Sequence, residues 1–265
     1  MMEQFGRRAE VILGSSSYML HRFKIEFNVE FDDQPDLNHA EIKIYNLSSN
    51  SINQLSEGLP VVLNAGYQQD VGGIFLGALY KHYTEWSGVD KITTIKAVDA
   101  SDQLRKVSFS RSYKAGTNAG QIITDVARAG GLSIGALSLP RNPSYSRGKT
   151  VNGRIPTILK ELARDCGAKF HIAKGQAFFR GGRDGDNIRF RFTPTRGLIG
   201  SPEPFEEERD ERIISGYNMT ALLNHRIQAD SIFNIESRYV NGQYRVMEGS
   251  HVLAGNDFYT HIKAV

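Results

Sequence analysis

The sequence predicts a mainly β protein with an α+β insert, in which two small β-barrel domains flank a helix-containing module. Residues 23–31 alternate apolar and polar side chains with the period of two expected of a strand with one buried face. Turn-forming residues separate such segments at intervals of about ten residues, as in small barrels and sandwiches. Helical periodicity is concentrated between the two β-rich regions. These observations divide the chain into domains 1–99, 100–185 and 186–265.

The first domain is expected to consist of strands joined by short turns. Its cleanest strand, 23–31, places aliphatic and aromatic side chains on one face, and a polar loop with a proline follows at 32–38. Ser48 or Ser49 is expected to cap a single helical turn. The further strands of this domain are predicted at 40–47, 60–67, 74–86 and 89–100.

The middle domain shows helical patterns. A turn of helix is expected at 101–106 and a strand at 107–113, and a helix follows, capped by Thr117 or Asn118 and closed by two glycines. Residues 137–154 have no periodicity and are expected to form a long exposed loop, the best candidate for mobility. A second helix starts near 155 with proline in its first turn. A hairpin is predicted about Lys174 and Gly175.

The last domain returns to strand patterns. Residues 186–194 alternate apolar side chains with arginines, and 203–211 form an acidic run that is expected to be a solvated loop. Asn241-Gly242 is a strong hairpin signal. The hairpin would carry Tyr239 and Tyr244 on its two arms.

Composition limits the functional classes. The chain has 265 residues, a net charge of +3 and a pI near 8.9, which is too mildly basic for a dedicated nucleic-acid binder. The N-terminal residues lack the apolar segment of a signal peptide, and no run approaches the roughly 20 apolar residues of a membrane helix. The protein is therefore expected to be made in a reducing cytoplasm, with no membrane insertion. Cys166 is the single cysteine, so an intramolecular disulfide is excluded and a buried structural thiol is expected.

No catalytic, cofactor-binding or metal site is predicted. The histidines are scattered without the spacing of a metal motif, and they are expected at the surface or in packing. A nucleophile-elbow motif is absent from the sequence. The glycine-rich stretch 181–186 lacks the spacing of a phosphate or calcium loop, so a turn is expected. The seven histidines are His21, His39, His82, His171, His225, His251 and His261.

Three clusters of residues offer functional alternatives. The acidic run could contain a general acid and base for glycoside hydrolysis, but consecutive carboxylates favour a solvated face. The basic segment near residue 145 could contact nucleic acid, although a solvated or partner-docking loop is favoured. The aromatic residues of the first domain could contribute to contacts with neighbouring copies. The members are Glu206, Glu207, Glu208, Asp210 and Glu211 (acidic), Arg141, Tyr145, Arg147, Lys149 and Arg154 (basic), and Phe23, Phe27, Phe75, Tyr80, Tyr83 and Trp86 (aromatic).

An ordered set of segments resembles a known family. AEIKIYNLS, VVLNAGY, IFLGALY and TTIKAVDA in the first domain, followed by 116–132, 155–172 and 222–252, are similar to the bacteriophage tail baseplate hub family, the late control protein D-like tail hubs. The resemblance covers most of the chain. It implies a structural virion protein located in the tail baseplate, with two tube-type β-barrels per chain and no cofactor.

The resemblance also implies an assembly. Three copies would form a pseudo-six-fold ring that connects the tail tube to the central spike and lines a channel for DNA. The implied partners are the tail tube protein, the central spike protein, other baseplate proteins and the tape-measure protein. The chain lacks the appended wall-degrading domain of longer family members, so it is not expected to be an enzyme. The segments expected to act as sheet edges at the interfaces are 23–31, 74–83, 92–98 and 232–247.

A single-stranded nucleic-acid-binding β-barrel is the alternative reading. In that reading the exposed aromatic residues and the basic segment would grip the strand, and binding would fall steeply with salt.

Overall fold

The computed structural model describes residues 6–35, 37–99, 104, 108–209 and 212–265. These residues form two compact units. The β unit comprises the chain up to Asp32 together with His39–Val98 and Gly185–Val265, and the α/β unit comprises Asp33–Asn38 and Asp99–Asp184. The predicted fold class, mainly β with an α+β insert, is confirmed.

The strands and helices fall into three consecutive groups along the chain. The N-terminal part of the β unit contains β1 (Arg7–Leu13), β2 (Ser16–Met19), β3 (Ile25–Asp32), β4 (His39–Tyr45), α1 (Ser49–Asn53), β5 (Pro60–Tyr67), β6 (Asp70–Ser87) and β7 (Asp90–Val98). The α/β unit contains β8 (Ser108–Tyr113), α2 (Ala119–Ala129), β9 (Ser133–Leu137), β10 (Lys149–Arg154), α3 (Ile155–Asp165), β11 (Lys169–Ala173) and β12 (Gln176–Arg180). The C-terminal part of the β unit contains β13 (Asp186–Phe192), β14 (Leu198–Arg209), β15 (Arg212–Leu222), β16 (Ser231–Glu236), β17 (Asn241–Ala254) and β18 (Asp257–Ala264).

One hydrogen-bonded sheet runs through both parts of the β unit. Its order in the described residues is β14-β15-β18-β17-β3-β4-β7-β6-β5-β1-β2, with β16 joining β17 and β13 joining β16 in parallel. The two parts meet where β17 pairs with β3, from Glu248 opposite Asp32 to Leu253 opposite Phe27. The same stretch of β17 pairs with β18 on its other side. The N-terminal and C-terminal strands are thus parts of a single sheet.

The β unit nevertheless contains two hydrophobic cores. Val11, Ile42, Leu63 and Ile95 lie fully buried in the first core, which also takes in C-terminal residues such as Leu253 and Phe258. The second core lies mainly in the C-terminal part and includes Phe192, Phe233, Val246 and Ile262. The apolar face of β3 contributes to both cores, because Phe27 packs in the first core and Phe31 in the second. The two predicted barrels remain a prediction, which these separate cores support.

The local signals of the α/β unit are confirmed. Asn118 caps α2, with its side chain accepting from the Gln121 amide at 2.9 Å while the Gln121 side chain accepts from the Asn118 amide at 3.2 Å. Pro156 lies in the first turn of α3, and Cys166 at its C-terminal end is fully buried. The β11–β12 hairpin turns at Lys174 and Gly175, which both have positive φ, as a two-residue hairpin turn requires.

Asp33 and Asn38 are held within the α/β unit by polar contacts. Asn38 donates from its side chain to Asp99 at 2.7 Å and to the Ile172 carbonyl at 3.0 Å. The buried Asp33 carboxylate accepts from Lys169 at 2.9 Å. These two residues of the predicted polar loop at 32–38 are therefore anchored, as buried polar groups usually are.

Three local predictions are wrong. Residues 149–154 belong to strand β10, paired with β8, so the loop predicted at 137–154 is shorter than expected. The acidic residues Glu206–Glu208 lie in strand β14 rather than in a loop. The last hairpin turns at 237–240 rather than at Asn241-Gly242, because the Ser237 hydroxyl accepts from the Val240 amide at 3.0 Å and closes an earlier turn.

The predicted interface edges are wrong for two of the four segments. Most of 23–31 lies between β17 and β4, and 92–98 lies between β4 and β6. The first half of 74–83 pairs with β5 and the second half with β7, so each half has one neighbouring strand, and 232–247 pairs with several strands. Alternation shows that a strand has a wet face, but not whether it has neighbours on both sides. The sheet ends instead at β2, β13 and β14. The helical turn predicted at 101–106 lies outside the described residues, apart from Leu104.

Candidate assembly surfaces

An ionic clasp joins the two parts of the β unit. Asp70, in the turn between β5 and β6, accepts from both terminal nitrogens of Arg226, at 2.9 and 2.6 Å, and lies 3.1 Å from Nε2 of His225. The hydrogen bonds from Arg226 oppose the effect of burial and lower the pKa of Asp70 from 3.8 to about 2. The clasp therefore carries a carboxylate at all ordinary pH values.

The clasp is packed as well as charged. Tyr67 donates from its hydroxyl to the Phe258 carbonyl at 3.2 Å, and burial raises the pKa of Tyr67 to about 12. Gly72 lies so close to His225 that a Cβ on it would be 2.2 Å from Nδ1 of the ring. The turn of the first part and the loop after β15 thus fit closely against each other.

The solvent face of the sheet around β3, β17, β18, β15 and β14 forms a groove of about 860 Å³, lined entirely by residues of the β unit. We call it the acidic groove, because its lining includes Glu30, Asp32, Glu203, Glu206, Glu207 and Glu248. Among the lining residues whose side chains the structure describes, Lys263 is the one lysine and there is no arginine. Carboxylates thus outnumber cations on this face.

Lys263 is shared between two of these carboxylates. Its amine contacts Glu207 and lies 3.3 Å from Glu248, and it also lies 4.7 Å from the centre of the Phe205 ring. Burial lowers the pKa of Lys263, but the hydrogen bonds and charges of Glu207 and Glu248 outweigh it, so the pKa is raised above its ordinary value. Asp32 is directly opposite Glu248 across the β3–β17 pairing. Like charges at such positions repel. Because Lys263 is shared between two carboxylates, the other carboxylates leave this face with excess negative charge.

Strand β14 forms one edge of the sheet beside this groove. Leu222 donates its amide to the Gly197 carbonyl, which fixes the alternation by which even-numbered residues of β15 point their amides toward β14. By the same register, positions 204, 206 and 208 of β14 direct their backbone nitrogens away from β15. Pro204 has no amide hydrogen to present there. The edge is therefore partly blocked against strand addition.

The tip of the β6–β7 hairpin exposes apolar side chains. Trp86 is 72% exposed and Val89 is 91% exposed, whereas Phe27 and Phe75 of the predicted aromatic group are buried in the first core. Phe23 packs partly buried against that core, and Tyr83 is exposed. The structure therefore divides the aromatic group: some members fill the core and others reach the surface.

The predicted basic segment is partly engaged within the α/β unit. Lys149 lies 3.2 Å from Asp165 and 5.0 Å from the centre of the Tyr145 ring, and the Tyr145 hydroxyl donates to the same carboxylate at 2.8 Å. Arg141, Arg147 and Arg154 are exposed. The structure thus gathers Tyr145 and Lys149 onto Asp165 and leaves the three arginines at the surface.

The histidines have individual roles. His251 is buried between the Thr260 hydroxyl, 2.9 Å from Nδ1, and the Ile227 carbonyl, 3.1 Å from Nε2. His171 is buried and stacks on Phe178. His225 belongs to the clasp. Across the residues with described positions, no cluster of three or more His, Cys, Asp and Glu side chains is placed to hold a metal ion.

Of the acidic run, Glu206 and Glu207 line the groove, Glu208 lies further along β14, and Asp210 and Glu211 fall outside the described residues. The clasp and the groove were not predicted from the sequence. The sequence shows the polar alternation of Asn28, Glu30 and Asp32. It does not show the β3–β17 pairing that places Asp32 opposite Glu248.

None of the helices in the described ranges combines the length and the apolar character needed to cross a bilayer.

The fold is similar to that of phage tail proteins with solved structures. No protein-family model and no curated protein matches the chain. Among solved structures, the chain is similar to a 43 kDa tail protein of prophage MuSo2 from Shewanella oneidensis, with a TM-score of 0.70, 7% identity and 98% of each chain covered. A tail protein from Neisseria meningitidis gives a TM-score of 0.69 at 9% identity, covering 98% of this chain and 96% of the other.

A third similar structure comes from a secretion machine. It is the E. coli protein c3393, a component of the type VI secretion system with structural similarity to the T4 bacteriophage tail proteins gp27 and gp5. The TM-score is 0.66 at 8% identity, covering 96% of this chain and 76% of the other. These identities are low, so the shared property is the fold.

Proposed function

We propose that this protein is a structural component of a tail, a homotrimeric baseplate hub whose pseudo-six-fold ring connects the tail tube to the central spike around a channel for DNA. The observation that carries the proposal is the match of the whole fold to tail proteins over 98% of the chain. A similar fold in a component of the type VI secretion system supports a role in tail-like machines more broadly.

The construction of the β unit also supports this role. The β unit has two hydrophobic cores connected through one sheet, which fits two proposed barrels per chain, so three chains would provide six. Such a ring would act by assembly, through interfaces between copies, and would need no catalytic group. Its proposed partners are the tube and spike proteins, with other baseplate proteins and the tape-measure protein, and its proposed location is the virion tail.

The mass of the protein in solution tests this proposal. Sedimentation velocity is expected to give about three times the 29.6 kDa of one chain. Electron microscopy of the same material should show rings with six similar densities around a central opening. A stable monomer at tens of micromolar that also fails to join purified tube and spike proteins would contradict the proposal.

The alternative of a single-stranded nucleic-acid binder receives no specific support. Tyr145, the aromatic residue of the basic segment, is bound to Asp165 and lies against Lys149. Retention on a single-stranded DNA column that falls steeply with salt would revive that alternative.

A further inference from the structure

Charge is distributed unequally between the two units. Residues 33–38 and 99–184, the α/β unit, contain fifteen lysines and arginines against eight aspartates and glutamates. The remainder of the chain contains seventeen against twenty-one. The mild net charge of +3 therefore conceals a positive unit and a negative unit.

Several of the negative side chains of the β unit gather in a concave region, the acidic groove. Glu30, Glu203 and Glu206 line it and are exposed, and Asp32 and Glu248 face each other across the strands. Lys263 is already engaged by Glu207 and Glu248. The groove can therefore accept further cations without displacing an ion pair at Glu30, Glu203 or Glu206.

The positive charge of the α/β unit has a matching location around the C-terminal turn of α3. Arg164 is exposed in that turn, and Arg141 is held beside it because its amide donates to the Cys166 carbonyl at 3.0 Å and its guanidinium reaches Gly167. Lys149 is already paired with Asp165 in the same turn. We call Arg141 and Arg164 the basic patch. Cations at this position also interact favourably with the helix dipole.

We propose that the acidic groove of one copy receives the basic patch of the next copy. Two different faces of the same chain would then meet head to tail, and a contact of that kind closes into a ring when the rotation between copies allows it. The inference rests on the proposed homotrimer and adds the surfaces that orient its subunits. Complementary charges mainly set register and rate of encounter, so the contact should depend on salt.

Charge reversal tests the contact in the full-length chain. A groove variant carries Glu30→Lys and Glu203→Lys, a patch variant carries Arg141→Glu and Arg164→Glu, and a control carries Glu85→Lys and Asp257→Lys, exposed changes in the β unit outside the groove lining. Sedimentation equilibrium at 50 and 500 mM NaCl gives the association constant of each. The groove and patch variants are each expected to associate at least tenfold more weakly at low salt, with the control unchanged.

A chain that carries both reversals should recover association, because every contact again joins opposite charges. Circular dichroism and the thermal midpoint establish that each variant is folded, and Glu206→Lys replaces Glu203→Lys if the first groove variant does not fold. If the groove variant and the patch variant both form trimers as strongly as the unaltered protein, this inference is overturned and the proposed hub is not affected. Absence of trimers in the unaltered protein would overturn both.

Discussion

Gly72 lies against the His225 ring of the clasp. An alanine there would place its Cβ 2.2 Å from Nδ1 of His225, so either the ring or the β6 backbone must move. We expect Gly72→Ala to lower the free energy of unfolding by about 1–3 kcal/mol, the usual cost of overpacking. Urea unfolding followed by tryptophan fluorescence measures the change.

Gly73 provides the matched control for this substitution. A Cβ there would lie 3.6 Å from the Asn64 side chain, which is ordinary contact. Gly73→Ala should leave the free energy of unfolding within about 0.5 kcal/mol of the unaltered protein. Equal losses from the two alanines would show that the His225 contact is not the cause.

The Asp70 carboxylate gives the β unit a dependence on acid. Its pKa in the folded protein, about 2, lies below its ordinary value of 3.8, so the charged form stabilises the fold. That contribution is complete above about pH 4 and is lost as the pH falls from about 4 to about 2. We expect Asp70→Asn to cost about 1 kcal/mol at pH 7, since the contact is partly exposed.

The difference in free energy of unfolding between the unaltered protein and Asp70→Asn should shrink toward zero between pH 4 and pH 2. Asp257→Asn, an exposed carboxylate away from the clasp, is the control and should show no such convergence. A constant difference down to pH 2 would rule out the ionic contact as its source.

Residue-level predictions from the sequence were reliable where the cause was local. Asn118 as a helix cap and Cys166 as a buried thiol follow from residues within one or two turns. Asp70 could not be assigned, because its partners Arg226 and His225 lie about 155 positions away and neither neighbourhood carries a motif.

At the scale of elements, β14 illustrates how an edge is protected. Pro204 stands where an outward amide would otherwise invite another strand. We expect Pro204→Ala to increase self-association beyond the native assembly, because a new outward donor appears beside those of positions 206 and 208. Light scattering during a week at 37 °C measures it.

Pro156 offers the comparison for that change. It occupies the first turn of α3, where an amide would be unpaired in any case, so Pro156→Ala should leave scattering unchanged. If Pro204→Ala scatters no more than Pro156→Ala, β14 is protected by something other than the proline.

Element type was largely predictable, whereas turn position and neighbours were not. The hairpin at Lys174-Gly175 forms as predicted, but Asn241-Gly242 lost to the turn that Ser237 closes by hydrogen bonding to Val240. The Asn241-Gly242 signal and the Ser237 turn are both local. Which of the two forms depends on the hydrogen bond of the Ser237 side chain, which residue preferences alone do not predict. The edges were missed because pairing partners are distant in the chain.

At the scale of the whole molecule, the β3–β17 pairing makes the two parts of the β unit interdependent. A fragment ending at Asp184 would leave β3 with β4 as its partner and one side unpaired. We expect that fragment to aggregate when expressed alone and to be recovered as a soluble complex when 185–265 is co-expressed. Soluble yield and co-purification on a tag carried by the shorter piece measure this.

A soluble, cooperatively unfolding fragment 1–184 would contradict that dependence. The pairing itself was beyond sequence reasoning, which assigned the two β regions to separate domains. Alternation in β3 and β17 shows one wet face each, and the register that joins Asp32 to Glu248 is determined only when the whole chain has folded.

The same pairing has a consequence during synthesis. Strand β3 is synthesised more than two hundred residues before its partner Glu248, an interval of roughly 10–40 s at bacterial or slower elongation rates. Throughout that interval the nascent chain presents an open strand to every neighbouring polypeptide on the same messenger. A cell that makes many copies at once therefore needs either a chaperone at the exit tunnel or slow, spaced initiation to keep sister chains from pairing prematurely.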